Sequence, residues 1–236
     1  MKKNNLYRNK SVSDYLFHFT GLNDGEHEDK TDEDAFNVLL LILRDRLLKY
    51  STRKRNIIFK IDPKTSINNI PIPMVCLTET PINKLENHIL QYNAFGLGLS
   101  VDWGIKNGGM NVIYYDNDHP TIYGEAIIQL LKPFFDPSIP KLNTPLLVDQ
   151  VLAGITEDIK YRDEREWRFI KKPNESANLS VNDLGIRFDF NDLKYLFVKS
   201  FDYKLKLKKW LIEDPYWRNK KGIKIIVNEK KGKQSS

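Results

Sequence analysis

The chain has 236 residues, a single cysteine (Cys76), a net charge of +6 and a pI of about 9.1. One cysteine excludes an internal disulfide framework and a cysteine-based zinc site, and fits a reducing cytoplasm. Apolar and aromatic fractions of 41% and 11% exclude a disordered chain, and the longest apolar run, Val38 to Leu43, is too short to span a bilayer.

Met1 to Asn5 open with positive charge, but no apolar segment follows, so no secretory signal is expected. The basic balance fits a polyanionic partner such as nucleic acid. It is unevenly spread: Asp24 to Asp34 is acidic, whereas Lys49 to Lys60 and the stretch from Lys204 onward are basic. No internal repeat or low-complexity linker divides the chain, which reads as one domain over residues 1–236 with frayed ends at 1–12 and 229–236.

The first predicted strand is Tyr15 to Phe19, followed by a polar, acidic loop from Gly21 to Lys30. Thr31 is an N-cap candidate, and Asp32, Glu33 and Asp34 suit a first helical turn. Phe36, Leu39, Leu40, Leu43 and Leu47 keep helical spacing and carry this helix to about Lys49. Ile57, Phe59 and Ile61 alternate like a strand, and Met74 to Thr78 is a short buried strand. Thr80-Pro81 reads as a helix start, with Thr80 capping and Pro81 at the first helical position. Ile82, Leu85, Ile89 and Tyr92 then share a face.

Phe95 to Ser100 is the next strand, and its glycines imply close backbone approach. Asn111 to Tyr115 is another strand, helices are expected over Thr121 to Phe134 and Leu146 to Glu157, and Pro133, Pro137 and Pro140 open a loop between them. Trp167 to Ile170, Ile186 to Phe190, Tyr195 to Val198 and Ile223 to Val227 are strand-like, and Leu205 to Ile212 is a basic amphipathic helix. Together these elements predict an α+β fold with a largely antiparallel sheet and flanking helices.

No H-E-x-x-H, Walker or G-x-S-x-G motif occurs, and Gly96-x-Gly98 is followed by Val101 where a dinucleotide fingerprint needs its third glycine. His27 between Glu26 and Glu28 reads as a solvated acidic loop, so no metal site is expected. His18 shares a strand face with Leu16 or Thr20, opposite Phe17 and Phe19. It is either a core histidine bonded to a backbone carbonyl or a ligand for a polar substrate. Glu164 and Glu166 share a face if their stretch is extended. They are either surface charges paired with arginine or carboxylates placed to stabilise an oxocarbenium-like sugar cation. Tyr92, Trp103, Tyr114, Tyr115 and Tyr123 are candidates for stacking on a planar ring, or core residues. Cys76 lies in an apolar run without a base beside it, which argues against a nucleophile.

Pro73 to Pro81, His88, Tyr92 and Phe95 to Leu99, with the block Glu164-Arg165-Glu166-Trp167-Arg168, resemble the AbiGi-type abortive phage infection family over roughly His18 to Phe197. That resemblance implies a phage-resistance role, toxin or antitoxin, and a cognate protein partner. A more distant resemblance is to ADP-ribosyltransferases of the DNA-modifying toxin type. It is carried by His18-Phe19-Thr20, by the helix with Leu39, Ile42 and Leu43, and by Glu164-x-Glu166 at the entry to a late strand.

The second resemblance implies a split, largely antiparallel sheet binding NAD as substrate. His18 would hold the ribose hydroxyls with Phe19, Thr20, Tyr92 and Glu164 beside it, and Glu166 would anchor the ribose as the glycosidic bond loosens. The middle aromatic of that family's triad is not assigned to a residue, and the acidic insertion after Thr20 departs from its pattern. Two functions follow as expectations. One is a cytoplasmic phage-defence enzyme transferring ADP-ribose to nucleic acid. The other is a non-catalytic antitoxin or sensor of the same fold that binds nucleic acid or a partner protein. A nuclease is the weakest reading, because no paired acidic strand motif is present.

Overall fold

A computed structural model describes residues 13–20, 31–58, 66–92, 94–115, 156–171 and 185–228. The chain divides into two compact units, one within residues 1–47, 77–104 and 187–236, the other within 48–76 and 105–186. Both are built on mainly antiparallel strands, and helices accompany the sheet of the first, giving the expected α+β class.

The first unit is organised by strand β5 (Gly96–Ser100) lying between β1 (Tyr15–Phe19) and β11 (Leu193–Val198), antiparallel to both. Strand β12 (Lys224–Val227) adds parallel to β11. On the other side, β1 pairs with Thr78 at the end of β4 (Ser66–Thr78). Alternation puts Tyr15, Phe17 and Phe19 on one face of β1, and Tyr195 and Phe197 occupy the same face of β11. These two strands are not neighbours, yet their rings touch: Tyr15–Tyr195 centroids lie 4.8 Å apart, Phe17–Phe197 5.5 Å and Phe19–Phe197 5.5 Å. Adjacent strands are about 4.8 Å apart, so such rings must lean across the strand between them.

Gly96 and Gly98 make that possible. Gly98 pairs with Phe17 on one side and Tyr195 on the other. A β-carbon there would stand 2.8 Å from the Phe17 ring and 3.1 Å from Tyr195 Cβ, and one on Gly96 would meet the His18 carbonyl oxygen. Leu85 and the flanking Ile82 and Ile89 close over this aromatic face. They come from a 3-10 turn (Ile82–Lys84) and helix α2 (Glu86–Tyr92).

Helix α1 (Asp32–Asp45) starts as its sequence predicts. The Thr31 hydroxyl accepts from the Asp34 N–H at 3.1 Å, and the Asp34 carboxylate accepts from the Thr31 N–H at 3.0 Å, forming a capping box. Ala35, Phe36, Leu39 and Leu43 are buried. The helix stops four residues short of the predicted Lys49. Arg46 takes a left-handed conformation with φ of 50°, and Leu47–Lys49 continues as strand β2. That conformation costs about 1–2 kcal/mol for a residue with a β-carbon. Tertiary contacts offset it: the Arg46 guanidinium lies 4.2 Å from the Tyr216 ring centre, and its carbonyl accepts from the Phe188 N–H at 3.1 Å.

Helix α3 (Val101–Lys106) follows β5, and helix α4 (Phe201–Glu213) links β11 to β12. Ser200 caps α4, and Tyr203 contacts Phe36 and Phe95 at 5.0 and 4.8 Å. Ion pairs Lys199–Asp32 and Lys206–Glu33 tie the starts of α1 and α4 together. At Thr80-Pro81 the expected cap does not form. The Thr80 N–H and hydroxyl both engage the Thr78 hydroxyl, and Pro81 is itself the cap position of the 3-10 turn.

In the second unit, β3 (Ser51–Ile58) pairs antiparallel with β4, in register Ser51 with Met74, and β9 (Glu166–Ile170) lies beside β4. The predicted strand at 111–115 is two strands. Strand β6 (Met110–Asn111) pairs with β9, whereas β7 (Ile113–Tyr115) pairs parallel with β8 (Thr156–Asp158). The switch falls at Val112, whose N–H donates to the Glu166 carbonyl at 2.9 Å. Thr156 and Glu157 are strand where a helix was expected to end. Strand β10 (Gly185–Arg187) precedes β11. The helix expected at 121–134, most of that at 146–157, and the frayed termini lie outside the described residues.

Alanine normally favours a strand over glycine. Gly98→Ala is expected to reverse this and lose about 1–3 kcal/mol, because the added methyl overpacks Phe17 and Tyr195. Urea unfolding of the full chain measures it, and a neutral or stabilising result would refute the close-approach account.

Candidate functional site

The six predicted site residues fall into two groups, one in each unit. His18, Phe19, Thr20 and Tyr92 belong to the first, and Glu164 and Glu166 to the second. His18 is half-buried on β1, pairs in register with Leu97, and faces away from Phe17 and Phe19 as alternation requires. Phe19 packs in the aromatic face against Phe197. Thr20 is buried, and its hydroxyl donates to the Ala35 carbonyl at 2.8 Å while its N–H donates to the Phe95 carbonyl at 2.9 Å. Tyr92 is half-buried at the end of α2, one turn from buried His88, with ring centres 6.2 Å apart. Trp103, a stacking candidate, is buried, and its indole N–H donates to the Arg187 carbonyl at 2.9 Å.

The Glu164–Glu166 stretch is not extended. Glu164 ends a 3-10 helix (Ile159–Glu164), and Arg165 turns the chain with a φ of 45° before β9 begins at Glu166. The alternation that would place the two carboxylates on one face therefore does not operate here. Along β9 it places Arg168 on the Glu166 face instead. Arg168 is buried, with its side chain 1% exposed, and its Nη2 donates to Glu166 at 2.6 Å and to Glu157 at 2.7 Å. Tyr114 completes the cluster: its hydroxyl oxygen accepts from the Glu166 N–H at 2.9 Å. Strands β7, β8 and β9 each contribute to it.

The electrostatics follow from burial. Desolvation alone would pull the Arg168 pKa down, but the Glu166 carboxylate, with help from Glu157, reverses this and leaves it raised. The guanidinium is therefore permanently charged. Burial pushes the Tyr114 hydroxyl up to about 12, and the nearby Glu166 and Glu164 charges add to the rise. The cluster holds a fixed cation and, at neutral pH, a protonated phenol, with the Glu157 and Glu166 side chains bonded to the cation. Such a group is suited to fixing a strand corner.

The sequence offered Glu166 as a ribose anchor or as a charge paired with arginine, and Tyr114 as a stacking or a core residue, and did not single out Arg168 or Glu157. The signal for Arg168 was present: a charged residue between Trp167 and Phe169, two residues from a carboxylate, in a strand flanked by apolar side chains. Among the described residues no group of three or more His, Cys, Asp or Glu side chains is arranged to hold a metal, and no helix is long and apolar enough to cross a membrane.

By its elements the chain is an α+β protein with mainly antiparallel strands. Residues 45–142 match a family model described as "Putative abortive phage resistance protein AbiGi, antitoxin". The match covers less than half of the chain and is narrower than the His18 to Phe197 extent of the resemblance. It includes Pro73 to Pro81, His88, Tyr92 and Phe95 to Leu99, but neither His18 nor the Glu164 to Arg168 block. No curated protein and no solved structure matches the chain, and no match is to an ADP-ribosyltransferase.

Two outcomes test the cluster. Arg168→Met strands two carboxylates in a largely buried site and is expected to lose about 3–5 kcal/mol, while adding Glu157→Gln and Glu166→Gln restores part of it. A loss below about 0.5 kcal/mol for Arg168→Met would contradict the burial argument. Tyr114 is the second. Its folded pKa lies above its unfolded one, so the folded state holds the proton longer. Its contribution is fully present below about pH 10 and fades as pH rises towards 12. Tyr114→Phe is therefore expected to flatten the alkaline loss of stability and to remove one late-titrating tyrosine from an ultraviolet pH titration. Unchanged curves would refute it.

Proposed function

We propose that this chain acts in abortive phage infection as an antitoxin-type component that binds a cognate toxin protein and does not itself catalyse a reaction. The observation that carries this reading is the match of residues 45–142 to a family described as an antitoxin of abortive phage resistance. The setting of Glu166 supports it. The carboxylate on which ribose chemistry would depend is bonded at 2.6 Å to a buried guanidinium and is thereby occupied in holding the fold.

A second reading is NAD-dependent ADP-ribosylation of nucleic acid. It is favoured by a histidine on the first strand, His18, and a glutamate at the first position of a late strand, Glu166. In that reading His18, Phe19, Thr20, Tyr92 and Glu164 would bind NAD. Glu166 would have to exchange Arg168 for the ribose, and Thr20 its Ala35 carbonyl.

Inducible expression of the full chain in a bacterial host, alone and with the product of the neighbouring open reading frame, separates the two. The chain alone is expected to be harmless, to relieve the growth arrest caused by its neighbour and to co-purify with it, and Glu166→Gln is expected to do so equally well. Growth arrest by the chain alone, with label from radiolabelled NAD appearing on DNA or RNA and both lost in Glu166→Gln, would overturn the proposal in favour of the enzyme.

A further inference from the structure

Helix α4 turns an unusual face away from the protein. Leu207 is fully buried, whereas Phe201, Leu205 and Ile212 are 55%, 51% and 69% exposed. At 100° per residue these three side chains fall within about 40° of one another, on the side of the helix opposite Leu207. With Lys208 they occupy positions 201, 205, 208 and 212. That spacing of four, three and four residues is the seam of a heptad repeat. In this register Lys204 and Lys209 fall at the positions flanking the seam, and Lys208 falls within it. The seam is about 17 Å long, enough for one helix-to-helix contact.

The charges narrow the occupant. Lys206 is held by Glu33 on the far side of the helix, and Lys209 meets Glu213 only at 3.9 Å in an exposed pair worth little. Lys204 and Lys208 make no ion pair among the described residues. A second copy packed parallel would set Lys208 against Lys208 and Lys204 against Lys209, and one packed antiparallel would pair Asp202 with Lys209 but leave Lys204 and Lys208 without an acid, so self-pairing matches the face poorly. Nucleic acid would use the lysines but gain nothing from an exposed leucine and isoleucine. A partner helix with apolar seam residues, glutamates opposite Lys204 and Lys209 and an acid opposite Lys208 matches the three lysines of the face, with a basic or neutral residue opposite Asp202.

We propose that the outward face of α4 is a docking surface for an acidic amphipathic helix of a partner protein, seated on Phe201, Leu205 and Ile212 and registered by Lys208. This deepens the antitoxin reading and rests on it for the partner's identity, not for the chemistry of the surface. The lysines act mainly on specificity and the apolar seam on lifetime.

The test uses the full chain and a fluorescent peptide of three heptads, with leucine at the seam and glutamate along the flanks. Its counterpart carries lysine in place of glutamate. Wild-type protein is expected to bind the glutamate peptide and not the lysine peptide. Leu205→Ser/Ile212→Ser and Lys208→Glu are each expected to weaken binding at least about ten-fold, with circular dichroism confirming the fold. Four results would overturn the proposal: no binding up to about 1 mM, equal binding of both peptides, unaffected variants, or a loss in these variants confined to phosphatidylserine vesicles or duplex DNA. Co-expression with the neighbouring gene separates this from the broader reading. If Leu205→Ser/Ile212→Ser relieves toxicity as well as wild type, the surface is wrong and the antitoxin reading stands. If wild type binds the glutamate peptide but relieves no toxicity, the surface stands and that reading falls.

Discussion

A guanidinium that cannot lose its proton has been placed out of water at Arg168, and the second unit is arranged around that fact. A buried charge of this kind is tolerated only when it is paired and hydrogen-bonded. Glu157 on β8 and Glu166 on β9 supply the pairing, and Tyr114 on β7 fixes the Glu166 backbone from the other side. The three strands are thereby locked to one another by polar bonds in a place where their own pairing is short: β7 and β8 are three residues each. The functional consequence is direct. To hold a ribose, Glu166 would have to leave a buried cation, and Glu157 would then be the one that remains of these two carboxylate partners. That setting supports the proposed reading, in which the chain recognises a partner.

The first unit obeys a different constraint. Its core depends on a strand without side chains at two alternate positions. Gly96 and Gly98 let the rings of β1 and β11 meet over β5, so that Leu85 and its neighbours close on a continuous aromatic layer. The layer holds β11 in place, and β11 in turn carries α4 with its outward apolar and lysine face. Packing of the core and display of a surface are thus linked through one glycine strand.

Much of this was legible in the sequence. Period-two alternation identified β1 with its true boundaries and placed His18 opposite Phe17 and Phe19. The glycines of β5 announced close approach, and Thr31 with its acidic successors announced the start of α1. The misses share a cause: each depends on partners distant in the chain. Arg46 ends α1 in a conformation its local sequence does not favour, held by Tyr216 and Phe188. The 110–115 strand breaks at Val112 because β8 and β9 compete for it. The candidate site was read from Glu166 and its neighbours in sequence, while its decisive partner Glu157 sits in a stretch whose local pattern suggested a helix. Alternation along β9 would have flagged Arg168, because residues two apart in a strand share a face.

The central claim is that Glu166 is a structural anchor for Arg168. A double-mutant cycle on the full chain, comparing wild type, Glu166→Gln, Arg168→Met and the double variant by urea unfolding, measures it most directly. The account predicts a coupling energy of at least about 1.5 kcal/mol between the two positions. A coupling indistinguishable from zero would contradict it, leaving the Glu166 carboxylate available for chemistry.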